Sequence, residues 1–174
     1  MLPHIQEQFE RLEQKHRAFI GHIASLSEGV QSFKAGPDKW SVVEVVEHLV
    51  LAEKDLLTQL TANLPASALD PRLKTPEKHQ QVIKVMQRDI PVEVPDESGQ
   101  PRGLLTLDAL FGQWADIRQK LRGVLGEITA ENQNVPVYRH PYGGPLEIAD
   151  ALQFIDVHFD NHRRHVDRIV AQTS

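Results

Sequence analysis

The stretch 146-LEIADALQFIDVHFDNHRRHVDRIV-170 decides the fold. Ile148, Leu152, Ile155, Phe159, Val166 and Ile169 recur at steps of three and four, with His162 filling the one place in the series that asks for an apolar residue. That stripe predicts an amphipathic helix with one face in a core. His158 and His165 stand four residues before and three after His162, so the three histidines share a side of the helix. Asp156, Asp160, Arg163, Arg164, Asp167 and Arg168 mark a solvated face.

Three more helices follow from the same periodicity. In 4-HIQEQFERLEQKHRAFIGHIASL-26 the stripe is Ile5, Phe9, Leu12, Phe19, Ile23 and Leu26, with His16 on it. The breaker stretch 35-AGPDK-39 is expected to end this segment. The second helix opens at 40-WSVVEVVEHLVLAEKDLLTQL-60. Ser41 and Glu44 have capping-box spacing, and Trp40 precedes them where an apolar residue staples back onto the first turn. Many valines favour a strand, but the length, the cap and Leu49, Leu56, Leu57 and Leu60 decide for helix. His48 lies two turns inside. The third helix, 106-TLDALFGQWADIRQKLRGVLGEI-128, has Thr106 as cap and Leu110, Trp114, Ile117, Leu121, Val124 and Ile128 as stripe. Gly112, Gly123 and Gly126 weaken it, so it either packs closely or ends early. A loop, 134-NVPVYRHPYGGP-145, leads to the fourth helix, with Gly144 and Pro145 read as its start.

Four helices so patterned predict an all-α four-helix bundle, with residues 1–174 as a single domain. Between helices two and three lies a long proline-rich connection, residues 63–103, holding Pro65, Pro71, Pro76, Pro91, Pro95 and Pro101. Within it, 76-PEKHQQVIKVMQRD-89 suits a short helix with Pro76 at its start. The connection is placed over one end of the bundle.

Composition narrows the function. A net charge of −5 and no basic run argue against a nucleic-acid binder. No apolar run approaches a membrane span, and the amphipathic N-terminus does not read as a signal peptide, so the cytoplasm is expected. With no cysteine, disulfides, thiolate ligands and a cysteine nucleophile are excluded.

Nine histidines stand out in a chain of this length. His158-x3-His162 on one helix face is able to reach one metal ion, and a site of four or five ligands needs another from a different element. His48 fits best, because its helix turns its apolar stripe to the same core. The competing reading is structural: bundle histidines can instead bond to carbonyls or to neighbouring Asp and Glu. His165 reads as a pocket residue rather than a ligand, and His16 as a satisfied seam residue. His4, His22 and His79 read as surface positions, and His140 sits at a loop with its role open. A ferritin-like di-iron site is set aside, since Glu44-x3-His48 has the wrong spacing and the fourth helix has no Glu near its histidines. A helical metalloprotease motif fails too, because Phe159 stands where its Glu belongs.

Two phrases together resemble the DinB-like (YfiT-like) metal-binding four-helix superfamily. The first is 37-PDKWSVVEVVEHL-49, similar to its second-helix signature. The second is 140-HPYGGPLEIADALQFIDVHFDNHRRHVDRI-169, similar to its His-Pro…Gly-Pro loop and His-x3-His helix. The pattern carries over at Trp40, Ser41, Glu44, His48, His158 and His162, and departs at His165, where many members have Gln. The resemblance implies a mononuclear site of His48, His158 and His162, open to water or a small-molecule substrate, and a homodimer. It also implies a transferase using a low-molecular-weight thiol such as bacillithiol, mycothiol or glutathione. Zn²⁺ or Ni²⁺ held by three neutral ligands would bind such a thiol as thiolate. A metal-dependent hydrolase is the near alternative. A non-catalytic, metal-stabilised dimeric bundle is the other.

Overall fold

The computed structural model describes residues 1–66, 70–73, 75–88 and 99–173. Its elements are α1 (Pro3–Ser25), α2 (Glu28–Ser32), α3 (Val42–Ala66), a 3₁₀ turn (Pro71–Leu73), α4 (Pro76–Gln87), α5 (Leu107–Leu125), β1 (Tyr138–His140), β2 (Gly144–Leu146) and α6 (Ile148–Ala171). The long helices α1, α3, α5 and α6 form the bundle. α3 packs between α5 and α6, and α1 touches the other sides of both, while α4 lies on α6. Each of the four expected helices is present.

Local chemistry explains most boundaries. Ser41 Oγ accepts from Glu44 N at 3.2 Å, and Glu44 Oε2 accepts from Ser41 N at 2.8 Å, a reciprocal capping box that starts α3. Thr106 caps α5 through Ala109 N. α5 stops at Leu125 before Gly126, the early end that its glycines allow, and Leu125 rather than Val124 is buried.

Four expectations are corrected. α1 ends at Ser25 rather than running on to the 35–39 breaker, because Ser27 caps a separate helix, α2. Gln31 Nε2 then donates at the end of α1 to the Leu26 carbonyl at 2.9 Å and to the Ile23 carbonyl, which also accepts from Leu26 N. Pro65 is not in the connection but inside the last turn of α3. The 134–145 loop contains an antiparallel hairpin, with Tyr138 opposite Leu146 and His140 opposite Gly144. Gly144 and Pro145 therefore belong to a strand, and α6 starts at Ile148. Gly144 has φ +75, and a Cβ there would lie 2.8 Å from Thr75 Oγ1, so both conformation and space require glycine. Finally, His79 is buried rather than on the surface, its Nε2 lying 3.3 Å from Gln153 Oε1.

Two apolar clusters fill the bundle. One gathers around Phe9, Leu60, Leu121 and Leu152, the other around Phe19, Val46, Trp114 and Phe159. Buried polar side chains mark the boundary: His16 on α1, Glu53 on α3, Arg118 on α5 and His158 on α6. Arg118 Nη1 donates to both Glu53 oxygens at 2.6 and 2.8 Å, and its Nε to Glu13 Oε1. Of the six prolines expected in the connection, Pro91 and Pro95 lie outside the described residues. Residues 99–103 lie against α3, where Gly103 N donates to Glu47 Oε2 at 2.8 Å.

Candidate metal centre

α3 and α6 bring His48, His158 and His162 together. One ligand-capable nitrogen from each lies within 4.8 Å of the others, and all three residues are buried. The spacing explains the meeting: His158 and His162 are one turn apart on the face of α6 that packs on α3, and His48 is on the facing side of α3. The imidazole centroids are 4.5 Å apart for His48–His162, 4.6 Å for His158–His162 and 5.0 Å for His48–His158.

Hydrogen bonding sets the state of His48. Its Nδ1 lies 2.7 Å from the Gly99 carbonyl oxygen, which only accepts, so Nδ1 carries the proton and donates. Nε2 is then a lone pair. It points at His158 Nε2, 3.0 Å away. His162 Nδ1 is buried without a hydrogen-bond partner among the described residues. Burial pushes the pKa of His158 and His162 well below the usual histidine range, and the neighbouring imidazoles push further. For His48 burial again lowers the pKa, while the Gly99 bond acts in the opposite direction. The three rings are therefore neutral at physiological pH, as ligation requires. Three converging neutral rings, with His48 and His158 nitrogens 3.0 Å apart and a buried His162 nitrogen unpartnered among the described residues, fit a divalent cation better than an apolar core.

The surroundings divide the other sequence candidates. Trp40, expected only to staple the helix, lies over the imidazoles: its ring is 5.0 Å from His48 and stacks at 6.1 Å on His162 and 6.3 Å on His165. The position was legible, but its role was not, because the indole bridges α3 to α6. His165 is half-buried behind Trp40, beside the three-histidine group rather than in it. Glu44 is engaged by Ser41 and Lys34, so it caps and does not support His48. His140 closes the hairpin: its Nδ1 accepts from Tyr142 N at 3.1 Å and Gly143 N at 2.8 Å. Burial, with His79 nearby, holds its pKa down at about 4. His16 is buried on the seam as expected, edge-on to Trp114 at 4.3 Å, but its Nε2 has no partner among the described residues.

The sequence matches the DinB superfamily over residues 11–166, and the chain belongs to that family. No curated protein matches it. Among solved structures it is similar to one described as "TT2238, a four-helix bundle protein", at 15% identity and TM-score 0.56, covering 98% of this chain and 99% of that one. That likeness confirms the bundle. Among the described residues, no helix is long and apolar enough to cross a membrane.

Proposed function

We propose that His48, His158 and His162 hold one divalent transition-metal ion, Zn²⁺ or Ni²⁺, and that the protein is a metal-dependent transferase using a low-molecular-weight thiol. The observation that carries the metal reading is the convergence of three buried, neutral imidazoles, one of whose nitrogens has no partner among the described residues. When bound, such an ion supplies a Lewis-acid centre that lowers the pKa of a coordinated thiol or water.

The chain's own residues favour a thiol cosubstrate over water. With no cysteine, the protein brings no thiolate of its own. The two α3 carboxylates nearest His48 in sequence are engaged elsewhere, Glu44 by Ser41 and Lys34 and Glu47 by Gly103 N. A free thiol, with a pKa of about 8.5, needs little help to ionise. Water is a far weaker acid and gains more from a positioned base, so the hydrolase reading ranks second. His48 is held in one tautomer by Gly99, and Trp40 shields His48 and His162 on one side.

The same reading takes residues 1–174 as one cytoplasmic DinB-like domain that forms a homodimer; sedimentation equilibrium tests the dimer. The activity is tested by incubating Zn²⁺- or Ni²⁺-loaded protein with an electrophilic chloroarene and glutathione, bacillithiol or mycothiol in turn. Metal-dependent conjugation with one thiol, lost in His158→Ala, is expected. Hydrolysis of ester or amide substrates without thiol, or no turnover with any of them, contradicts the transferase reading.

A further inference from the structure

We propose that Glu47 is a positioning residue of the histidine centre, acting on His48 through the backbone of residues 99–103. The inference rests on the metal-binding reading above and adds to it a control that lies outside the three ligands.

Two neighbouring residues of α3 grip this short stretch at opposite ends. His48 Nδ1 donates to the Gly99 carbonyl at 2.7 Å, and Glu47 Oε2 accepts from Gly103 N at 2.8 Å. His48 and Glu47 are buried, at 5% and 6% exposure, while Gly99 is half-buried and Gly103 exposed, so water reaches each bond only from the loop side. The carboxylate makes the Glu47 bond charge-assisted and the stronger class of tether. Between the two ends, Pro101 fixes one backbone dihedral, which limits how much of a displacement at Gly103 the short stretch absorbs before Gly99 moves. Gly103 itself has φ +66, the left-handed region, and a Cβ there would lie 3.5 Å from Glu44 Oε1. The turn that aims its N–H at Glu47 is thus one that glycine makes readily and other residues do not.

The consequence falls on the His48 ring. Gly99 oxygen fixes which nitrogen carries the proton and how the ring is rotated, and hence where the Nε2 lone pair points. Glu47 keeps that oxygen in place. The coupling runs both ways: once Nε2 binds a cation, Nδ1–H becomes a better donor and holds Gly99 more firmly. Metal loading therefore tightens residues 99–103 onto α3.

The test uses the full chain and Zn²⁺ alone. Affinity is measured by competition with a chromogenic chelator for wild type, Glu47→Ala, Glu47→Gln and Gly103→Ala. Amide exchange at Gly103 is followed with and without Zn²⁺, and thermal midpoints of the metal-free proteins control for folding. Expected are slower Gly103 exchange in Zn²⁺-loaded wild type and Zn²⁺ affinity lowered about tenfold or more in Glu47→Ala. Glu47→Gln, which keeps an accepting oxygen, loses less, and Gly103→Ala weakens binding in the same direction. Wild type that binds Zn²⁺ with unchanged Gly103 exchange, together with wild-type affinity in all three variants, overturns this inference alone. Wild type that takes up no Zn²⁺ overturns the metal reading and this inference with it.

Discussion

His48 Nε2 and His158 Nε2 face each other at 3.0 Å across the α3–α6 interface. Because His48 Nδ1 already donates to Gly99, its Nε2 has only a lone pair to offer. At this distance His158 Nε2 either donates a proton to that lone pair or turns its own lone pair to a shared cation. The nearby His162, whose buried Nδ1 has no partner among the described residues, completes a group that could hold a cation.

The pH dependence of metal binding follows. An unperturbed site of histidines loses affinity as pH falls through about 6.5. Here burial lowers the pKa of all three rings, most strongly at His158 and His162. Protons compete only at lower pH, so Zn²⁺ affinity should stay flat through 6.5 and decline below it. Chelator competition across the range from neutral to acidic checks this; a midpoint at or above 6.5 contradicts it.

Fold stability has its own acid limb. The folded pKa of His16 is pushed down to about 4 by burial first and by Arg118 second. The unfolded chain takes up its proton near 6.5, while the folded chain does not until about 4. Stability is therefore lost as pH falls across that window, by about 1.4 kcal/mol per pH unit for this group. His16→Leu should reduce the difference in urea midpoint between pH 7 and pH 5. An unchanged difference would show that His16 is not a source of the limb.

Arg118 joins α5 to carboxylates on α1 and α3. Burial pushes the Glu53 carboxyl up, and the Arg118 charge pulls it back. Arg118→Met removes the cation and strands Glu53, so a loss of about 3–5 kcal/mol is expected. Arg118→Met with Glu53→Leu should recover part of it, since replacing a whole buried pair with apolar residues is often neutral. Denaturant unfolding of the single and double variants measures both; a single variant as stable as wild type contradicts the assignment.

The bundle was readable because each helix has an apolar stripe at period 3.6 and two have sequence-visible caps, Ser41 with Glu44 and Thr106. The His48–His158–His162 grouping was readable for a related reason: His162 interrupts the α6 stripe, and His48 lies deep in a helix facing the same core. The hairpin at Tyr138–Leu146 was not, since its strands are three residues each and contain Pro145. Nor was the burial of His79: it shares the buried stripe of α4 with Ile83 and Met86, but that α4 lays this stripe against α6 is a tertiary contact. Gly99 and Glu47 escaped because their partners are 51 and 56 residues away in the chain. No local spacing encodes such contacts.

The most direct test of the central claim is metal content per chain, by elemental analysis of untagged protein reconstituted with Zn²⁺ or Ni²⁺. Wild type is compared with His48→Ala, His158→Ala and His162→Ala. The account predicts about one ion per wild-type chain and loss of that ion in each variant, as expected when one of three protein ligands is removed. Wild type without metal, or variants that retain it in full, would contradict a centre built from these three histidines.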